Sequence, residues 1–338
     1  MKPNNLLQLP RFPLAHLPTP LEPLDRLSAH LKGPRLFIKR DDQTGLAMGG
    51  NKTRKLEFLV GEAITQGVDT VLTAGAAQSN HCRQTAAAAA RAGLRCELVL
   101  GGEPPDSPEG NLLLDELFGA VVHWSGSDRR GETLDAVAAD CSASGRTPYV
   151  IPYGGSNPTG AAGYALAMIE VLEQARARSL RVDAIVIPSS SGGTHAGLLA
   201  GAALTGFKGR IIGIGIDKRE EGDVPLAELV GSLAEQTLVH CAAPGGDVKK
   251  MVEIDESFQG AGYGVVGDLE RGAIRLLAHM EGILLDPVYT GRAMGGLIDL
   301  IRRGKFKNEE NVLFWHTGGM PAIFAYARDL AVQRRREY

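Results

Sequence analysis

Short apolar runs alternate with longer stretches in which hydrophobic residues recur at helical spacing, and the alternation persists over most of the chain. The runs Thr70–Ala74, Cys96–Leu100, Val121–Trp124, Tyr149–Pro152, Ala184–Pro188, Ile211–Ile216 and Val312–Trp315 read as strands. Between them lie stretches rich in Ala, Leu and Glu, such as Arg83–Ala92, Gly163–Gln174 and Ala293–Arg303, which read as helices. Strands alternating with helices predict an α/β architecture with parallel sheets. The run from Gly154 to Gly160 (Gly-Gly-Ser-Asn-Pro-Thr-Gly) is the clearest break in the pattern and is expected to connect two lobes. The chain shows no internal repeat and no low-complexity segment.

At 338 residues the chain exceeds one small core, which again favours two domains. Its 44% hydrophobic and 22% charged content is that of a soluble globular protein. Basic and acidic residues nearly balance, 36 against 39, so no basic field supports a nucleic-acid partner. The longest apolar runs, such as Leu112–Leu114 and Ile283–Leu285, are too short for a bilayer, so no membrane association is expected. Pro10, Pro13, Pro18 and Pro20 interrupt the N-terminal segment, so a signal peptide is not expected and a cytoplasmic location is. Cys82, Cys96, Cys141 and Cys241 lack any C-x-x-C spacing and read as buried reduced thiols. His81, His195 and His316 lack metal-ligand spacing, so no metal is expected.

Three segments carry chemistry. In Gly49-Gly50-Asn51-Lys52-Thr53-Arg54-Lys55-Leu56-Glu57, two glycines leave room beside the backbone for Lys52 to sit on the rim of a crowded site. A desolvated amine loses its proton more readily and becomes a nucleophile; a solvated lysine at a helix start is the plainer reading. The run Ser189-Ser190-Ser191-Gly192-Gly193-Thr194-His195-Ala196-Gly197 follows a strand and opens a helix, a place where free N–H groups suit a phosphate, with hydroxyls from Ser191 and Thr194. It is not a Walker loop, since no Gly-Lys-Ser/Thr follows. It approaches a dinucleotide fingerprint, with Asp217 at the end of the next strand, but Thr194 replaces the middle glycine. In Gln78-Ser79-Asn80-His81, Ser79 or Asn80 is an N-cap, and the same helix start can hold a carboxylate. Two later strand ends, at Leu284–Gly291 and Phe314–Gly319, bring Tyr289, Thr290 and Thr317 toward the carboxyl edge where α/β folds bind ligands. Tyr263 carries no signal of its own.

Taken in order, Gly-Gly-Asn-Lys-x-Arg-Lys-Leu-Glu, Gln-Ser-Asn-His-x-Arg-Gln, Ser-Gly-Gly-Thr-His-Ala-Gly, Leu-Asp-Pro-Val-Tyr-Thr-Gly and His-Thr-Gly-Gly resemble the pyridoxal-phosphate enzymes related to tryptophan synthase β. The branch they resemble holds D-cysteine desulfhydrase and 1-aminocyclopropane-1-carboxylate deaminase. The resemblance runs from Pro18-Thr19-Pro20-Leu21 to Phe324-Ala325-Tyr326. It implies fold type II: two open parallel-sheet α/β lobes, a larger cofactor-binding one over 1–53 plus 161–338 and a smaller one over 54–160, with pyridoxal 5′-phosphate in the cleft and a homodimer as the assembly. It further implies that Lys52 bonds the cofactor covalently and later moves the proton at Cα. Asn80 would bond the cofactor's O3′, while Ser79 and the N–H groups of Asn80 and His81 hold the substrate carboxylate. Ser191, Gly192, Gly193, Thr194, Ala196 and Gly197 would cradle the phosphate. Tyr289 would lie against the pyridine ring, with Thr290 and Thr317 beside it and Tyr263 close to the substrate.

Within that branch, ring-opening deaminases resemble this chain less, because they carry Glu and Leu where it has Thr290 and Thr317. A carboxylate beside the pyridine nitrogen keeps it protonated and makes a strong electron sink; a threonine hydroxyl makes a weaker one, which suffices for elimination. The resemblance therefore implies a carbon–sulfur lyase acting on a small amino acid, D-cysteine first, giving pyruvate, hydrogen sulfide and ammonia. L-cysteate sulfo-lyase is the alternative that Gly155–Gly160 and Thr53 resemble, and the deaminase is another. A nicotinamide-dependent oxidoreductase using Gly192–Gly197 with Asp217, and a non-catalytic binding protein, are the readings of other classes.

Overall fold

A computed structural model describes residues 5–218, 220, 222–243 and 247–331. Ten strands form two sheets. The first contains β1 (Leu21–Pro23), β2 (Arg35–Arg40), β7 (Ala184–Ser189), β8 (Arg210–Gly215), β9 (Glu253–Asp255) and β10 (Asn311–His316), in the order β1-β2-β10-β7-β8-β9. The second contains β3 (Thr70–Ala76), β4 (Arg95–Gly101), β5 (Val121–Trp124) and β6 (Pro148–Val150), in the order β5-β4-β3-β6. All pairings are parallel except β1 against β2, where Leu21 faces Lys39. The seven strands expected from the apolar runs are all present, with ends displaced by a residue or two. The strands not expected are β1 and β9, three residues each at the edges of the larger sheet, and β2, whose buried run Leu36–Lys39 is broken by charged residues at Arg35, Lys39 and Arg40.

The helices that matter for the site are α1 (Asp25–Leu31), α2 (Lys52–Thr65), α3 (Asn80–Ala92), α4 (Gly110–Leu117), α5 (Leu134–Ala143), α6 (Pro158–Ala177), α7 (Gly193–Thr205), α8 (Leu226–His240), α9 (Asp268–Glu281) and α10 (Thr290–Arg302). Parallel strands need crossover helices on both faces, which explains why β7 is buried at every position. The break at Gly154–Gly160 is a tight turn at Tyr153–Gly155 followed by Asn157, whose side chain accepts from Gly160 N at 2.8 Å and caps α6, with Pro158 in its first turn. The helix α2 is buried along most of its length rather than amphipathic, because it lies between α3 and α6. Among the described residues no helix is long and apolar enough to cross a membrane.

One ionic cluster fixes α2 in place. Arg54, 2% exposed, donates to both oxygens of the fully buried Asp41 at 2.9 Å and to Glu170 at 2.8 and 3.0 Å. Tyr164 and Trp315 donate to the same Asp41 at 2.6 and 2.8 Å. Burial alone would raise the Asp41 pKa, but the Arg54 and Lys39 charges beside it hold the carboxyl below its ordinary range. The cluster thus joins the start of α2, two residues past Lys52, to the larger sheet.

Candidate active site

The carboxyl ends of β3, β7 and β10 and the starts of α2, α3 and α7 border one cleft. Lys52, Ser79, Asn80, His81, Ser191, Gly192, Thr194, Tyr289 and Thr317 all line it.

Lys52 enters from a loop that only glycine can follow. At Gly49 (φ +73°) a Cβ would lie 1.9 Å from Asp42 O, and at Gly50 (φ +132°) 2.2 Å from Gln84 Nε2. Asn51 N donates to Thr317 O at 2.9 Å and Asn51 Nδ2 to Thr194 Oγ1 at 2.9 Å, tying the loop to both opposing motifs. Lys52 Nζ lies 3.3 Å from Gly154 O, and Lys55 Nζ lies 3.0 Å from the same oxygen. Burial lowers the Lys52 amine from 10.5 to about 8. Lys55, fully buried, is lowered further by burial and by the Lys52 charge.

The glycine-rich turn forms an anion cradle. Gly192 adopts a left-handed conformation (φ +82°) that starts α7, whose first N–H groups have no intrahelical partner. Gly193 N donates to Ser156 Oγ at 3.2 Å, Ser156 Oγ bonds Ser191 Oγ at 2.9 Å, and Lys55 Nζ reaches Ser156 Oγ at 3.4 Å. A Cβ on Gly193 would lie 2.6 Å from Ser156 Oγ and 2.8 Å from Lys55 Nζ. Amides, hydroxyls and the Lys55 amine gathered at a helix start suit a phosphate, whose charge would favour the amine's protonated form. Gly193, Ala196 and Gly197 do not line the cleft. The Ala196 N–H already donates to Gly192 O at 2.8 Å. At Gly197 a Cβ would meet Ala161 O at 2.3 Å, so this glycine lets α6 and α7 approach.

Across the cleft, Ser79 Oγ accepts from Cys82 N at 3.2 Å and caps α3, leaving the Asn80 and His81 N–H groups at the helix start. Thr73 Oγ1 gives its proton to Ile151 O at 2.9 Å and so accepts from His81 Nε2 at 2.9 Å. His81 Nδ1 is then a bare acceptor, buried without a partner. Burial, then the charges of Lys52 and Lys55, hold the imidazole neutral.

Tyr289 OH and Tyr263 OH are 2.6 Å apart with their rings edge to face, and Arg129 lies over the Tyr263 ring at 4.5 Å. Burial pushes both phenols well above their ordinary pKa, so they stay protonated. Tyr263 reaches the cleft through Tyr289 rather than lining it. Thr290 stands a layer back. It is fully buried, its Oγ1 donates to Asp286 Oδ1 at 2.7 Å and accepts from Asp286 N at 2.8 Å, and it has no surface on the cleft.

Tyr153 and His195 line the cleft, and Lys55 and Ser156 stand behind its glycine-rich turn; none of the four was expected as a site residue. Lys55 had a signal, since it follows Lys52 by one helical turn and so shares its face. Ser156 and Tyr153 sat in or beside the break read as a connection. His195 sat inside the phosphate motif, neutral because burial lowers it to about 4.

An aromatic aldehyde phosphate fits these residues: a nucleophilic amine, an anion cradle that a single Cβ would fill, and hydrogen-bonding side chains between them. Comparison with known proteins agrees. Residues 13–318 match the family model described as pyridoxal-phosphate dependent enzyme. The chain is 44% identical over 329 residues to D-cysteine desulfhydrases of two Klebsiella pneumoniae strains (342 and ATCC 700721 / MGH 78578), covering 96% of this chain and 98% of each relative. The crystal structure of an ACC deaminase homologue superposes with a TM-score of 0.88 at 36% identity over 98% of this chain and 99% of that one. An O-ureido-L-serine synthase shares the fold, with a TM-score of 0.66 at 16% identity over 98% of this chain and 95% of its own. From the amine at Lys52 to these full-length matches, every observation leads to one assignment: the chain belongs to the pyridoxal-phosphate dependent enzymes.

Proposed function

We propose that this enzyme catalyses α,β-elimination on a β-substituted amino acid, D-cysteine first, yielding pyruvate, hydrogen sulfide and ammonia with consumption of one water. The observation that carries this is the full-length similarity to D-cysteine desulfhydrases together with a cleft lined by both an amine of lowered basicity and the start of α3. Bound there, pyridoxal phosphate supplies a carbonyl that takes the substrate's amine and a conjugated ring that accepts the electron pair released at Cα.

The residues divide the remaining work. Lys55, Ser156, Ser191 and the first amides of α7 would hold the phosphate, and Asn80 would bond O3′. Ser79 and the Asn80 and His81 N–H groups receive the substrate carboxylate and so orient Cα. Lys52, with its amine near 8, takes the Cα proton. Tyr289, kept protonated and held by Tyr263, is the hydroxyl available to the departing sulfur. The water that completes the reaction adds as the nitrogen leaves as ammonia. A homodimer and a cytoplasmic location accompany this reading; light scattering of the purified enzyme tests the first.

The test is a pyruvate-release screen over D-cysteine, L-cysteine, L-cysteate, β-chloro-D-alanine and the cyclopropane amino acid, with borohydride reduction and peptide mapping to Lys52. D-cysteine is expected to be the best substrate. Sulfite from L-cysteate as the faster reaction replaces this reading, and no pyruvate from any of them refutes it.

A further inference from the structure

Asn80 lines the cleft in the first turn of α3, and what its amide offers a ligand depends on which end faces outward. The two ends of an amide are alike in shape, so the neighbours decide. Asn80 Oδ1 accepts from Asn111 Nδ2 at 2.9 Å and from Arg83 Nη1 at 3.4 Å, and no hydrogen bond among the described residues engages Asn80 Nδ2.

The orientation starts from Arg83, because a guanidinium can only donate. Arg83 Nη1 donates to Asn111 Oδ1 at 2.8 Å, which turns the Asn111 oxygen toward it. Asn111 Nδ2 must then face the other way, where it donates to Asn80 Oδ1 and to Gln78 O, each at 2.9 Å. Asn111 is held a third time, since its backbone N donates to Gln78 Oε1 at 2.9 Å. Arg83 is locked as well: its Nη2 donates at 2.8 Å to Gly49 O, in the loop that delivers Lys52. Arg83 and Asn111 are both fully buried and neither lines the cleft.

We propose that Arg83 and Asn111 are positioning residues that fix the Asn80 amide with its NH2 toward the cleft, making it an obligate donor to the cofactor's ring oxygen. The proposal rests on the reading of Asn80 as the O3′ contact. Asn111→Asp tests it. The substitution is nearly isosteric and its carboxylate still pairs with Arg83, but it offers Asn80 only acceptors. The Asn80 amide then turns its NH2 inward and presents an oxygen to the ring oxygen.

The expected result is pyridoxal-phosphate affinity weaker by about tenfold or more and a displaced visible absorption maximum, beside a lowered urea midpoint of the apoprotein, since the new carboxylate turns an oxygen toward Gln78 O. In an Asn80→Ala background, Asn111→Asp is expected to add nothing. Parent-like affinity and absorption in Asn111→Asp, while Asn80→Ala alters both, overturn the positioning role. Additive losses in the double variant overturn it too. If Asn80→Ala itself leaves both unchanged, the reading of Asn80 fails and the proposal falls with it. Should Asn111→Asp not fold, Arg83→Gln removes the obligate donor by another route. The same shift, absent in the Asn80→Ala background, is expected, and parent-like values overturn the proposal.

Discussion

Gly193→Ala separates cofactor binding from folding. Gly193 is the first residue of α7 and its φ is not in the left-handed region, so alanine meets no backbone strain there. Helix propensity favours the change by up to about 1 kcal/mol. The obstacle lies in front of the backbone: the new methyl would sit 2.6 Å from Ser156 Oγ, 2.8 Å from Lys55 Nζ and 2.9 Å from Ser156 Cα. To restore an ordinary contact of about 3.5 Å, Ser156 Oγ must retreat by about 0.9 Å and Lys55 Nζ by about 0.7 Å. Ser156 Oγ then leaves Gly193 N and Ser191 Oγ, and Lys55 Nζ leaves the cradle. With hydrogen bonds to a charged group contributing about 1.5 kcal/mol or more each, displacing these two donors weakens pyridoxal-phosphate binding by about 100-fold. The assay is a titration of apoprotein with pyridoxal phosphate followed by visible absorbance, alongside thermal melting of the apoprotein. The apoprotein is expected to melt within a few degrees of the parent. Parent-like affinity would refute the placement of the phosphate at this turn. A collapse of the apoprotein melt would mean that Gly193 serves packing alone.

Three further outcomes follow from the same geometry. Because burial lowers Lys52 to about 8, its neutral amine grows as pH rises through that value, so capture of pyridoxal phosphate by the apoprotein should accelerate about tenfold per pH unit below 8 and level off above it. A rate still climbing at pH 10 would show an ordinary, solvated lysine. Arg54→Met leaves the buried Asp41 its neutral donors and the Lys39 charge but no bonded cation, and should cost about 3–5 kcal/mol in urea unfolding; a loss under about 1 kcal/mol contradicts the anchoring of α2. Thr290→Glu forces a second carboxyl against Asp286 in a fully buried position and should destabilise the fold by about 2 kcal/mol or more. An unchanged melt with altered turnover would instead place residue 290 against the cofactor.

The elements and the family were legible in the chain because both are encoded locally. Five of the seven apolar runs, those of β3, β4, β7, β8 and β10, were legible because these strands are largely buried, and enclosure writes itself as uninterrupted hydrophobic residues; β5 and β6, at the edges of the smaller sheet, kept apolar runs while staying half-exposed. The motifs at Ser79 and Gly192 were legible because each lies where a strand ends and a helix begins, with glycine or a capping residue marking the turn, whereas no strand directly precedes the Lys52 motif and the strand end expected before Tyr289 is an irregular loop. Tertiary structure decided which side chains of those motifs touch the cleft. Thr290 and Gly197 stand inside motifs, yet one is turned to Asp286 and the other to Ala161, because the loop before α10 claims the first and α6 packs on the second. Lys55 and Ser156 lie 101 positions apart and meet only because α2 packs on the turn before α6. The nucleophilic character of Lys52 likewise comes from burial at the junction of several segments. Spacing along one segment names the residue that can react; desolvation, which depends on everything packed around it, sets whether it does.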